Sequence, residues 1–242
     1  NTNNNFIIPV LIASIIPIIN FLLVFFYLPE TKPNSEINKS KTALKNPLKA
    51  LFTVFKEEKI KKLSLAFFIY FIAFTGLTNI LIFFLQESLN WTTKASSGTL
   101  VVVGIIAIIV QGGLIGPLVK KFGEMRLTLI GSGFILVACS LLITAPKENA
   151  TINIYSAVSF LAIGAGLITP TLRALISKKL DVNKQGSILS NLQGLQSLGG
   201  VLGIAMAGRV YDSFGPKSPF IAGSIILIFM IYLIAEGKNN KS

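Results

Sequence analysis

Seven runs of about twenty mainly apolar residues, parted by short basic segments, leave this chain little choice of fold. They fall at 6–28, 64–86, 98–119, 127–145, 152–172, 186–208 and 218–235. A helix needs roughly 20 such residues to cross ~30 Å of hydrocarbon. Strands of a membrane barrel would be about half as long and would alternate polar with apolar. Runs such as 98–110 do not alternate, so the expected class is all-α, a polytopic bundle of seven transmembrane helices. Charged residues make up 13% of the chain, about half the usual ~25% of a soluble domain. Cys139 is the single cysteine and there is no histidine, so a disulfide scaffold and the common zinc and His-based catalytic sites are excluded. No metal, cofactor or enzymatic activity is expected.

The basic residues alternate between segments. Nine lysines lie between the first two runs, and Lys120, Lys121 and Arg126 follow the third. Arg173, Lys178, Lys179 and Lys184 precede the sixth run, and Lys238 and Lys241 lie on the tail. The opposite side holds only Lys94, Lys147, Arg209 and Lys217. The positive-inside rule puts the rich set in the cytoplasm, with the amino terminus of this chain outside and its carboxyl terminus inside. Seven spans demand opposite sides, which agrees. The net charge of +12 is then a matter of topology and anionic headgroups, not of a nucleic-acid partner.

The longest polar stretch, 29–63, begins as a flexible linker and changes character at Asn46, a good N-cap followed by Pro47. Leu48, Leu51, Phe52 and Phe55 recur at helical spacing, which predicts an amphipathic helix on the membrane surface; a calmodulin-type target is the alternative. The chain therefore divides into a lone helix (1–28), a cytoplasmic loop (29–63), a six-helix bundle (64–236) and a tail (237–242). The first run is too long for a signal peptide and lacks a basic flank. With no initial Met, this layout reads as a chain cut from something longer.

No Asp, Glu, Lys or Arg lies near the centre of a run, so no proton relay or retinal-type lysine is visible. Neutral polar residues form stripes instead. Thr75, Thr78, Asn79 and Gln86 share one face of the second run, and Ser97, Gly104 and Gln111 one face of the third. Gln193, Gln196, Ser197 and Gly200 mark the sixth; Ser156, Ser159, Thr169 and Pro170 mark the fifth, with Gly164 and Gly166 loosening its middle. Such stripes either bond neighbouring helices or line a shared watery cavity. Gly112 with Gly116, and Gly199 with Gly203 and Ala207, read as close-packing seams, with a hinge as the other possibility.

After the third run the chain reads Gly116-Pro-Leu-Val-Lys-Lys-Phe-Gly123-Glu-Met-Arg126, which resembles the short cytoplasmic loop motif of the major facilitator superfamily, roughly G-x-L-x-D-R-x-G-R-R. Gly116, Leu118, Lys121, Gly123 and Arg126 match; Lys120 stands at the acidic position, and Glu124 and Met125 replace basic ones. Pro170-Thr-Leu-Arg173, with Gln185-Gly186-Ser187, and Asn46-Pro-Leu-Lys-Ala-Leu resemble regions of the tetracycline-efflux-like drug:proton antiporters. That resemblance implies two six-helix bundles joined by a long cytoplasmic loop, this chain being helix six, the loop and the C-terminal half.

It further implies that Asn79, Gln86, Gln111, Gln193 and Gln196 wall a substrate cavity, and that Gly116, Lys121, Gly123, Arg126 and Arg173 form a cytoplasmic gate network. The expected function is proton-coupled efflux of small organic molecules across the cell membrane, with the N-terminal half of the same protein supplying the coupling carboxylates. Lack of a buried charge favours fairly apolar cargo. The rival reading is a non-transporting seven-helix receptor or a half-transporter scaffold.

Overall fold

The computed structural model describes residues 7–27, 51–146 and 150–239, and each apolar run is helical there. The chain divides into two units, residues 1–44 and 45–242. In the first, α1 (Ile7–Tyr27) is a 21-residue helix with Pro17 inside it. In the second, a short 3-10 turn (Phe52–Lys56) leads into α2 (Lys61–Ser88), α3 (Thr93–Phe122), α4 (Glu124–Thr144), α5 (Thr151–Ser177), α6 (Val182–Phe214) and α7 (Ser218–Asn239). Most of the linker, including Asn46, Pro47 and Leu48, lies outside the described residues.

Helices α2, α3, α4, α5 and most of α7 are long and apolar enough to span a bilayer, and α6 is the polar exception. The outward face of α7 is apolar: Ile221, Ile225, Ile228, Phe229 and Tyr232 are exposed along one stripe. Such a surface needs lipid, and the protein is an integral membrane protein.

Helix ends follow from local chemistry. Thr92 caps α3, its hydroxyl accepting the Ala95 N–H at 3.3 Å. Gly123 separates α3 from α4 at φ +77°, and Gly215 closes α6 at φ +91°. Both are backbone conformations open to glycine and costly to other residues.

Packing is organised by two small-residue seams. Between α2 and α6, a Cβ on Gly76 would lie 2.8 Å from the Gly203 carbonyl oxygen and 3.2 Å from the Ala207 Cβ. Between α4 and α5, a Cβ on Gly164 would lie 2.6 Å from the Gly131 carbonyl oxygen. Helix α7 packs on both α2 and α4, tying the two pairs together, and α3 leans on α5. The core between them is aromatic and aliphatic: Phe67, Tyr70, Phe84 and Phe220 are fully buried, and the Phe84 and Phe220 rings meet edge to face at 5.1 Å.

Two expectations change here. Gly112 and Gly116 are exposed, and a Cβ on either would meet nothing within 4 Å, so that pair is not a seam among the described residues. Gly112 sits in a π-helical stretch (Val110–Leu114), where the widened turn spoils the regular four-residue ridge. Gly164 and Gly166 do not loosen α5. Gly164 admits α4, and a Cβ on Gly166 would fall 2.9 Å from the Val110 side chain.

Finally, the turn before α2 docks on the bundle. Val54 is fully buried, Leu51 fills the space a Cβ on Gly194 would need, and Asn191 bonds Thr53 at 3.2 Å. Phe52 stays 46% exposed, so the buried residue is one that the apolar spacing omitted.

Candidate functional site

The polar residues predicted on α5 and α6 meet at Arg173. Helix α5 runs to Ser177, so Arg173 is a helical residue one turn from the end and not part of a loop. This corrects the assignment of its charge to a connecting segment: α5 outlasts its apolar run because Ile176 is buried and Ala174 and Leu175 are half-buried. Helical side chains tilt toward the helix amino terminus. The Arg173 stem therefore reaches back along α5, away from the short connection to α6. Its Nη2 donates to the Gln193 Oε1 at 2.7 Å and to the Gln196 Oε1 at 2.5 Å.

Below the guanidinium lies the buried Phe67 ring of α2, with Cζ 5.9 Å from the ring centroid. Phe67 packs against Phe71, Phe71 against Tyr70, and Tyr70 stacks on Phe74 at 5.5 Å. The Tyr70 hydroxyl lies 3.4 Å from the Thr169 Oγ1, the longest of these polar contacts. No Asp or Glu among the described residues pairs with Arg173, and its Nε is buried without a hydrogen-bond partner. Arg173 is thus a half-buried cation held by two neutral amides.

The remaining cavity candidates lie on α2, α3 and α6. Gln193 and Asn79 are exposed and Gln196 and Gln86 half-buried. The Asn79 amide nitrogen donates to its own helix at the Thr75 carbonyl, 2.9 Å away. Thr75 also lines the α2–α6 groove, since a Cβ on Gly200 would lie 3.6 Å from its Cγ2. Gln111 is exposed in the π-helical stretch of α3, its stem beside Gly166 of α5. Asn79, Gln111 and Gln193 are thus surface residues of the bundle.

The expected gate network separates into two parts. Gly116, Lys121 and Arg126 are exposed around the α3–α4 connection, and the Lys121 ammonium sits over the Phe122 ring at 5.3 Å. Arg173 faces α6 instead. What ties the α3–α4 connection to α5 is an ion pair from Lys178 to Glu124, backed by a Thr128–Thr171 hydroxyl bond of 2.8 Å. In the sequence Glu124 stands out only as a departure from the loop motif; its place one residue after a turn glycine, with Lys178 just past the end of α5, is the signal for the pair.

At the other end of the bundle the Tyr211 hydroxyl donates to Glu87 Oε2 at 2.6 Å, beside an open cavity of ≈ 510 Å³ lined by Glu87, Asn90, Tyr211 and Pro216. Burial and the Glu87 carboxylate push the Tyr211 phenol above its ordinary value. Among the described residues no three His, Cys, Asp or Glu side chains group as metal ligands.

The sequence profile of the Major Facilitator Superfamily matches residues 2–204. The chain is 25% identical over 204 residues to the "Tetracycline resistance protein, class H" of Pasteurella multocida, covering 84% of this chain and 50% of that protein. It is 24% identical over 181 residues to "Multidrug resistance protein 2" of Bacillus subtilis (74% and 44% covered). It is 23% identical over 249 residues to "Major facilitator superfamily domain-containing protein 10" of Mus musculus (94% and 53% covered). The chain spans about half the length of these curated relatives.

Proposed function

This chain belongs to the Major Facilitator Superfamily, and on that premise we propose that it is the C-terminal part of a secondary transporter that expels small organic molecules in exchange for protons. The observation that carries the reading is the uncovered polar face on α2, α5 and α6. A face holding Asn79, Gln193, Gln196 and Arg173 is unsuited to lipid and suited to water, solute or a second bundle. In this reading the other half closes over that face and supplies the carboxylates that carry protons, and the two halves rock about the site between them.

Further assignments follow from the same premise. Seven helices span the cell membrane, with the amino end of this chain outside and the carboxyl end in the cytoplasm, as the lysine distribution favours. Asn79, Gln86, Gln111, Gln193 and Gln196 wall the solute path. Gly116, Lys121, Gly123 and Arg126 serve the cytoplasmic connection that must flex as the halves rock. Relatives whose names carry tetracycline or multidrug resistance support a drug-like solute. Family membership supports transport over the receptor and scaffold readings.

Proteoliposomes holding the protein as its own cell makes it provide the test. An imposed proton gradient is expected to drive drug flux, and Asn79→Leu and Gln111→Leu are expected to reduce it while leaving membrane insertion intact. Flux indifferent to the gradient would remove proton coupling. Flux unchanged in both variants would return the two residues to packing.

A further inference from the structure

We propose that Arg173 receives the acidic group of the transported solute, so that this protein prefers carboxylate-bearing organic molecules over their uncharged counterparts; the inference rests on the transport reading above. A guanidinium taken out of water costs free energy unless charge or hydrogen bonds compensate it. Here compensation is incomplete. Two amide oxygens satisfy Nη2, the Phe67 face lies beneath, Nε has no acceptor, and no carboxylate of the described residues approaches. Neutral amides hold the group in place without discharging it, which is the arrangement expected of a cation kept for a transient anion.

Geometry selects the partner. With Nη2 held by the two glutamine oxygens and Nε buried, a carboxylate is received at Nη1 and gains the second, parallel bond of the planar group by displacing one glutamine oxygen from Nη2. The rest of the polar face carries amides and hydroxyls, so a single positive charge matches a monoanion. Half-buried Phe74, stacked on Tyr70, gives the α2 side of this face an aromatic edge. An aryl carboxylate fits both features. This reverses the expectation of apolar cargo, which came from counting Arg173 among loop charges.

The experiment compares 2-naphthoate with 2-naphthamide, two probes alike in shape and different in charge. Their binding to the purified protein, as its own cell makes it, is measured by equilibrium dialysis, and their flux in proteoliposomes. The wild type is expected to bind the acid about tenfold more tightly than the amide. Arg173→Gln is expected to abolish the difference, and Arg173→Lys to keep part of it, because charge survives while the planar fork is lost. If Arg173→Gln does not fold, as judged by gel filtration, the lysine variant decides. Equal binding of the two probes, no binding of the acid at millimolar concentration, or a preference that survives Arg173→Gln would overturn the proposal. Equal flux of both probes would also overturn it while leaving transport standing. Selective binding with no flux of either would do the reverse.

Discussion

Gly203 of α6 and Ile72 of α2 approach so closely that a Cβ on the glycine would lie 2.2 Å from the Ile72 carbonyl oxygen. The obstacle is backbone, which cannot rotate away as a side-chain tip can. Gly203→Ala therefore has to separate two helices that otherwise pack along Gly76, Gly199 and Gly203. The expected cost is about 1–3 kcal/mol, in line with overpacking elsewhere. Thermal unfolding of the detergent-solubilised protein would measure it, and an unchanged transition would mean that the seam is loose.

Gly112 and Gly116 form the contrasting pair. Their sequence spacing is the same, yet a Cβ on either meets open space within 4 Å. Gly112→Ala and Gly116→Ala are expected to stay within about 0.5 kcal/mol of wild type, like other uncrowded substitutions. A cost as large as that of Gly203→Ala would show that this face of α3 is covered in the working protein.

Gly123 separates sterics from backbone conformation. A Cβ there also meets nothing within 4 Å, but φ is +77° and ψ 158°. That region is essentially glycine-only and costs other residues roughly 1–3 kcal/mol. Gly123→Ala is expected to destabilise the α3–α4 connection by that amount although the space is empty. Faster cleavage between α3 and α4 by protease added to the detergent-solubilised protein would register it; wild-type resistance would argue that the turn has other conformations.

Tyr211 supplies a pH signature. It lies beyond the predicted end of the sixth span, and its phenol is raised above the ordinary tyrosine value, first by burial and then by the Glu87 carboxylate it donates to. A raised folded value means that the neutral phenol is favoured in the fold. Its contribution is complete below the unfolded pKa of ~10 and is lost as pH rises through the folded value. Subtracting the alkaline ultraviolet titration of Tyr211→Phe from that of wild type should isolate a late-titrating phenol, and Glu87→Gln should bring it down. Titration at the ordinary value in wild type would contradict the contact.

Much of this architecture was legible in the chain itself, because hydropathy acts locally. Each apolar run became a helix, Gly123 proved to be the turn residue, and Gly199, Gly203 and Ala207 proved to be a seam. Helix ends were less legible. Arg173 looked like a loop charge because a window of apolar residues stops at Leu172, whereas the helix continues wherever its next residues can still be buried.

The helices, their order and their polar stripes were thus determined by the sequence alone, through the energetic need of apolar runs for lipid or core and of backbone for internal hydrogen bonds. Tertiary structure decided which stripe faces which neighbour. Two glycine pairs of identical spacing had opposite fates, since one met Ile72 and Gly76 while the other met no residue of the bundle. Likewise Arg173 could be joined to Gln193 and Gln196 only once α6 was seated on α2 within reach of the end of α5, because a hydrogen bond across twenty residues depends on how helices pack and not on the pattern of any one of them.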